Sequence, residues 1–113
     1  MEEGSVRVGV RPQIITKAQA LNIQRENMEL DIYNVDGYKG VGVARVVKKD
    51  FASDCHPDND LLDYVISGSG AVEIDGEKFD VKAGDLVFIP RGSNFTWSAG
   101  VELLAIMQPR FEG

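Results

Sequence analysis

From Leu30 to Met107 the chain alternates short runs in which every second residue is apolar with short clusters of Gly, Asp, Asn, Pro and Ser. Leu30-Asp31-Ile32-Tyr33-Asn34-Val35 alternates, Asp36-Gly37 turns the chain, and Val41 to Val47 resumes with β-branched residues. That pattern predicts a hairpin. Leu61 to Ile66 reads as the next strand, Gly68-Ser69-Gly70 as a bend, and Ala71 to Ile74 as its continuation. Asp75-Gly76 suits a tight turn because glycine accepts positive φ. Glu77 to Val81, Leu86 to Ile89 and Asn94 to Ser98 repeat the pattern, and Val101 to Met107 closes it. Short strands at this spacing predict an all-β sandwich or barrel, because a parallel βαβ crossover needs about ten or more residues, and no connecting stretch has room for one.

The N-terminal part reads differently. Val6-Arg7-Val8-Gly9-Val10 is short and extended, and Thr16 stands ahead of the helix formers Lys17 to Leu21, which predicts one or two helical turns. The expected organisation is therefore an N-terminal extension over 1–29 and one barrel domain over 30–113, in a chain of 113 residues that suffices for a single core.

Charge narrows the function. At a net charge of −6 the basic residues are scattered, Lys48-Lys49 being their one adjacent pair, so no nucleic-acid surface is expected. The apolar runs are too short to cross a bilayer, and the acidic Met1-Glu2-Glu3 is unlike a signal peptide, so the expected setting is the cytoplasm, without membrane contact. A single cysteine, Cys55, fits a reducing compartment and excludes zinc motifs built on paired cysteines. Adjacent to His56, it makes a poor nucleophile–base pair, because neighbours in an extended chain face opposite ways.

Two segments resemble a known family. Tyr64-Val65-Ile66-Ser67-Gly68-Ser69-Gly70 through Gly76, followed by Ala83-Gly84-Asp85 through Pro90-Arg91-Gly92, is similar to the core of the cupin superfamily, with the second motif met at Gly84, Pro90 and Gly92. The resemblance runs over roughly residues 40 to 107 and implies a jelly-roll β-barrel with an interior site for a metal or a small molecule. It also implies where metal ligands would stand: a histidine pair at Asp54 and His56, a glutamate at Leu61 and a last histidine at Phe95. One of those four positions, His56, keeps its ligand. The stretch Asp54-Cys55-His56-Pro57-Asp58-Asn59-Asp60 thus reads as a degenerate metal motif, or as a solvated polar turn interrupted by Pro57. No cofactor is expected on the first reading; a divalent metal held by His56 and Asp54, with Asp58 or Asp60, is the alternative.

If Leu61 faces inward, strand alternation carries Asp63 and Val65 with it and sends Leu62, Tyr64 and Ile66 outward. Asp63 then becomes a carboxylate inside a barrel and a candidate catalytic group, with Arg45 a candidate ligand-binding residue beside it, unless the two simply pair or a slipped register turns Asp63 to solvent. Phe95 and Trp97 share one face and, with Leu61 and Tyr33, would wall a pocket for a flat or apolar ligand, or fill the core. The outward stripe predicts a homodimer. Within the superfamily, Asp60 to Gly68, with Asp31 to Gly37 and Gly40 to Gly42, is similar to the cupin domains of the EutQ group of ethanolamine-utilization proteins, which implies an acidic residue at Asp63 and acetate-kinase-type activity. No phosphate-binding loop accompanies it. The expected function is small-molecule binding by a cupin with a degenerate metal site; the alternatives are a metal-dependent dioxygenase or isomerase, and a non-enzymatic sensor or scaffold.

Overall fold

The computed structural model describes residues 11–110, so the extended stretch expected at Val6 to Val10 lies outside the described residues. The helical signal after Thr16 yields one 3-10 turn, Lys17–Gln19, where the Gln19 side chain accepts the Thr16 backbone N–H at 2.9 Å. Beyond that turn the described residues form strands: β1 Leu21–Gln24, β2 Met28–Tyr33, β3 Gly42–Lys48, β4 Ala52–Cys55, β5 Asp60–Ile74, β6 Glu77–Lys82, β7 Leu86–Ile89, β8 Asn94–Trp97 and β9 Val101–Gln108. The alternation does not mark β1 or β4 as strands. β1 pairs with β2, and β4 with β8, so each gains its conformation from a partner rather than from its own four residues.

The expected hairpin forms, with Leu30 opposite Val46 across β2 and β3. The expected bend does not divide two strands, because β5 runs 15 residues without ending. Its first half pairs with β7 and β9, its second with β6 and β8, and the register shifts between Val65 and Ser67. All nine strands form one curled sheet in the order β1-β2-β3-β9-β5-β8-β4, with β6 and β7 also on β5. Gly68 makes this change of partners possible, with φ at +86° and a backbone so close to the start of β9 that a Cβ there would stand 2.0 Å from the Gly100 carbonyl oxygen.

Rows of paired residues fix which side chains enter the barrel. Ile32, Ala44, Ala105, Asp63 and Val87 form one row. The flanking rows, Tyr33-Val43-Ile106-Leu62-Phe88 and Asp31-Arg45-Leu104-Tyr64-Leu86, point the other way. Inside, Leu61, Val65, Val72, Ile89, Trp97, Val101 and Leu103 form the core. Outside, Leu62, Tyr64, Ile66, Leu86 and Phe88 are exposed on adjacent strands. No helix among the described residues is long and apolar enough to cross a membrane.

Gly68→Ala is expected to destabilise the fold by about 2–4 kcal/mol, since both the left-handed φ and the Gly100 carbonyl oppose a side chain. Gly76, at φ +88° but with nothing within 4 Å of its would-be Cβ, should cost only about 1 kcal/mol as alanine. Chemical denaturation of the two variants checks the difference; equal losses would show that the close approach at Gly68 adds nothing.

Candidate functional site

The inner row places Asp63 where water does not reach: it is 4% exposed, between Leu61 and Val65 on the inward side of β5. Its Oδ1 has no hydrogen-bond partner among the described residues, and neither has Nε1 of Trp97. The indole N–H lies near enough to favour the ionised carboxyl, yet it does not close a hydrogen bond of ordinary geometry. Burial is the larger effect and pushes the Asp63 carboxyl up to about 6, against the pull of Lys48 first and Trp97 second.

Lys48 ends β3 on the same side as Val46 and is only 9% exposed. Burial pushes its ammonium down, while Asp63 and then Asp54 oppose that shift, so the amine stands in the field of both carboxylates. Neither bonds it: Lys48 Nζ has no ion pair or hydrogen bond among the described residues. Sequence reasoning missed this residue by treating Lys48-Lys49 as a surface pair. The signal was present, because the parity that turns Val46 inward carries Lys48 with it.

Toward the barrel rim, Asp54 on β4 pairs with Phe95 on β8, and His56 Nε2 lies 3.2 Å from Asp54 Oδ2. The imidazole stacks on Phe95 with ring centroids 6.0 Å apart. Phe95 and Trp97 are buried on one face, as the alternation predicts. The rest of the polar stretch is ordered by specific bonds rather than simply solvated. Asn59 is buried and donates to the Pro109 carbonyl at 2.7 Å, Asp60 receives the Arg91 guanidinium at 3.0 Å, and the Gly92 N–H reaches the His56 carbonyl at 3.0 Å.

Two expected members stand elsewhere. Arg45 does not meet Asp63; it lies on the outward row, where its guanidinium binds Asp31 at 3.1 Å and also Glu102. Tyr33 faces outward with Leu62, because an antiparallel register keeps paired residues on one side of the sheet. An open hollow of about 440 Å³ is lined by Ser53 and Asp54 of β4, Glu73 of β5, and Asn94, Phe95 and Thr96 of β8; Phe95 alone of the expected ligand-site residues touches it, and neither Asp63 nor Lys48 does.

The donor set does not fit the metal that such barrels hold. Leu61 and Phe95, at two of the four ligand positions, are core side chains with no lone pair to give, and Asp60 is committed to Arg91. Among the described residues no group of three or more His, Cys, Asp or Glu side chains is gathered in a way that would hold an ion. His56 and Asp54 instead bond each other.

The architecture is a curled antiparallel barrel with Asp63 and Lys48 buried on its inner face. The chain belongs to the cupin domain family, whose family model matches residues 46–106. It is 32% identical over 68 residues to the acetate kinase EutQ of Clostridioides difficile (strain 630), a match covering 60% of this chain and 43% of that protein. The chain spans half or less of the length of the curated relatives it matches. Among solved structures it resembles Streptomyces Pac13 with uridine at a TM-score of 0.82 and 20% identity, covering 90% of this chain and 86% of that one. It also resembles KdgF from Halomonas at a TM-score of 0.75 and 17% identity, covering 90% and 97% of the two chains.

Unfolded, Asp63 ionises near 3.8; folded, it does so near 6. Its contribution is therefore fullest below the unfolded value, and stability should fall as pH rises from 3.8 to about 6, then level off. Asp63→Asn should remove that fall and be more stable at neutral pH by up to about 3 kcal/mol. Urea denaturation across this pH range reads it, and parallel profiles for the two proteins would show that Asp63 ionises normally.

Proposed function

We propose that this cupin binds a small metabolite inside its barrel without a metal, using Asp63 as the polar anchor and the group that takes up or releases a proton. The observation that carries this reading is a carboxyl 4% exposed, with an unpartnered Oδ1, on the inner face of β5 with Leu61 and near the buried Trp97. A polar group left unpaired in such surroundings costs stability, and a ligand with a matching donor offsets that cost. A proton-transfer group works best with a pKa near the working pH, and burial brings Asp63 to about 6.

The relatives support the same direction. Kinship with the EutQ acetate kinase favours a role in ethanolamine or acetate metabolism, carried by the barrel that the two share. Pac13, called a nucleoside dehydratase, has been solved with uridine, and its likeness in fold makes a small polar ligand a reasonable class to screen. The metal-dependent alternative loses ground because Leu61 and Phe95 supply no ligands.

The chain has one tryptophan, so the Trp97 indole N–H gives a single resonance reporting on the barrel interior. Screening acetate, ethanolamine, uridine and small sugars should find a ligand that shifts it saturably, with or without chelator, and Asp63→Ala should weaken that ligand about tenfold or more. A stoichiometric transition metal in the purified protein, with binding lost on its removal, would overturn the reading.

We infer further that a second copy covers the outward stripe of Leu62, Tyr64, Ile66, Leu86 and Phe88. An apolar patch on paired strands is self-complementary about a twofold axis, which makes a homodimer the simplest way to remove it from water. Light scattering should give the mass of two chains for the native protein and of one for Leu62→Lys combined with Phe88→Glu. A native protein that runs as a single chain at micromolar concentration would sink the idea.

A further inference from the structure

The outer face of the sheet half formed by β4, β8, β5 and β6 carries a row of polar side chains that the barrel interior does not use. Ala52, Trp97 and Val72 pair across three strands and are buried. Strand alternation therefore turns the next row, Ser53, Thr96 and Glu73, to the opposite side, and Asn94, two residues before Thr96, shares that face. These four residues, with Gly76 at the turn between β5 and β6, line most of the hollow of about 440 Å³, a volume within the range of roughly 300–1,000 Å³ usual for small-ligand sites.

The polar groups of the hollow are held in place and keep bonding capacity to spare. The Ser53 and Thr96 hydroxyls lie 2.7 Å apart, so one donates to the other and the second hydrogen is left over. Asn94 is pinned through its backbone: its N–H donates to Asp75 Oδ1 at 2.8 Å, and its carbonyl accepts the Asp75 N–H at 2.8 Å. The Asn94 carboxamide makes no bond among the described residues. Neither does the Glu73 carboxylate, although Lys78 stands opposite it on β6. Gly76 keeps the edge open, with nothing within 4 Å of the point where a Cβ would stand. No lysine or arginine is among the lining residues, so an anion would find no countercharge beside Glu73. Hydroxyls and a carboxamide both donate and accept, and a carboxylate accepts, which is the complement of ligand hydroxyls. From Ser53 to Glu73 the row covers two strand spacings, about 10 Å, too wide for a single polar head group.

We propose that this hollow binds a neutral polyhydroxylated molecule, a monosaccharide or sugar alcohol, outside the barrel. Glu73 accepts from ligand hydroxyls at one end, the Ser53–Thr96 pair bonds a hydroxyl at the other, and Asn94 bridges between them. Each such bond replaces one to water, so the affinity of this open site lies in the millimolar range. The site is on the opposite face of β8 from Trp97 and does not rest on the reading of the barrel interior.

Titration of the full chain with glucose, mannose, galactose and sorbitol, followed by amide NMR, tests this. At least one should shift the Thr96, Glu73 and Gly76 amides saturably, and salt at about 0.5 M should leave its affinity unchanged, because no ion pair is involved. Thr96→Val, which keeps the shape of the side chain and loses the hydroxyl, should weaken that ligand about fivefold, Glu73→Ala should weaken it about tenfold or more, and Thr96→Ser should bind as the native protein does. Absence of any saturable shift at these amides overturns the proposal. So does a sugar that keeps its affinity in Thr96→Val and loses it in Asp63→Ala, since that ligand would occupy the barrel interior instead. Binding confined to ethanolamine or spermidine and abolished by salt would show an acidic surface patch, which also overturns it.

Discussion

The approach of Gly68 to the Gly100 carbonyl sets the course of β5, and β5 is the strand that both halves of the barrel share. Ahead of that contact the strand pairs with β7 and β9; beyond it the same strand pairs with β6 and β8. A side chain at position 68 would push β5 from β9, and the two halves would lose their common edge. Register depends on the same constraint. Because alternate residues of a strand face opposite ways, a slip of one residue would turn Asp63 out and Leu62 and Tyr64 in.

The charges divide by surroundings. On the outward face Arg45 bonds Glu102 and the buried Asp31, and Glu102 also accepts the Ser67 hydroxyl at 2.9 Å, so each charge there has a bonded partner that keeps it ionised. Inside, Lys48 and Asp63 influence each other without touching, and burial works against the charge of both. A buried pair of this kind gains less from mutual attraction than it gives up in hydration, so packing alone does not account for it. That imbalance is the physical ground on which the proposed interior site rests.

Much of the fold was legible because its cause is local. Alternation marked the hairpin of β2 and β3 and the limits of β7, and parity turned Leu61, Asp63 and Val65 inward. The four-residue strands β1 and β4 were not legible, since their conformation comes from partners distant in sequence. Arg45 and Tyr33 were expected near Asp63 on residue type, but cross-strand register decides which rows share a face, and no register is written within one strand. Lys48 shows the converse. Its direction is set by Val46, two residues before it, but a lysine beside a lysine reads as surface until the strand is known to continue through it. The polar stretch from Asp54 to Asp60 proved to be joinery: Asn59 ties it to Pro109 and Asp60 to Arg91.

In the strand order, β9 lies between β3, which carries Lys48, and β5, which carries Asp63. During synthesis both residues precede β9, the strand that joins β3 to β5 in the sheet. Until β9 is inserted, closing the loop from β3 is entropically costly and both charges keep their hydration. The two buried charges therefore keep their water until β9 joins the sheet, and lose it in the step that closes the barrel.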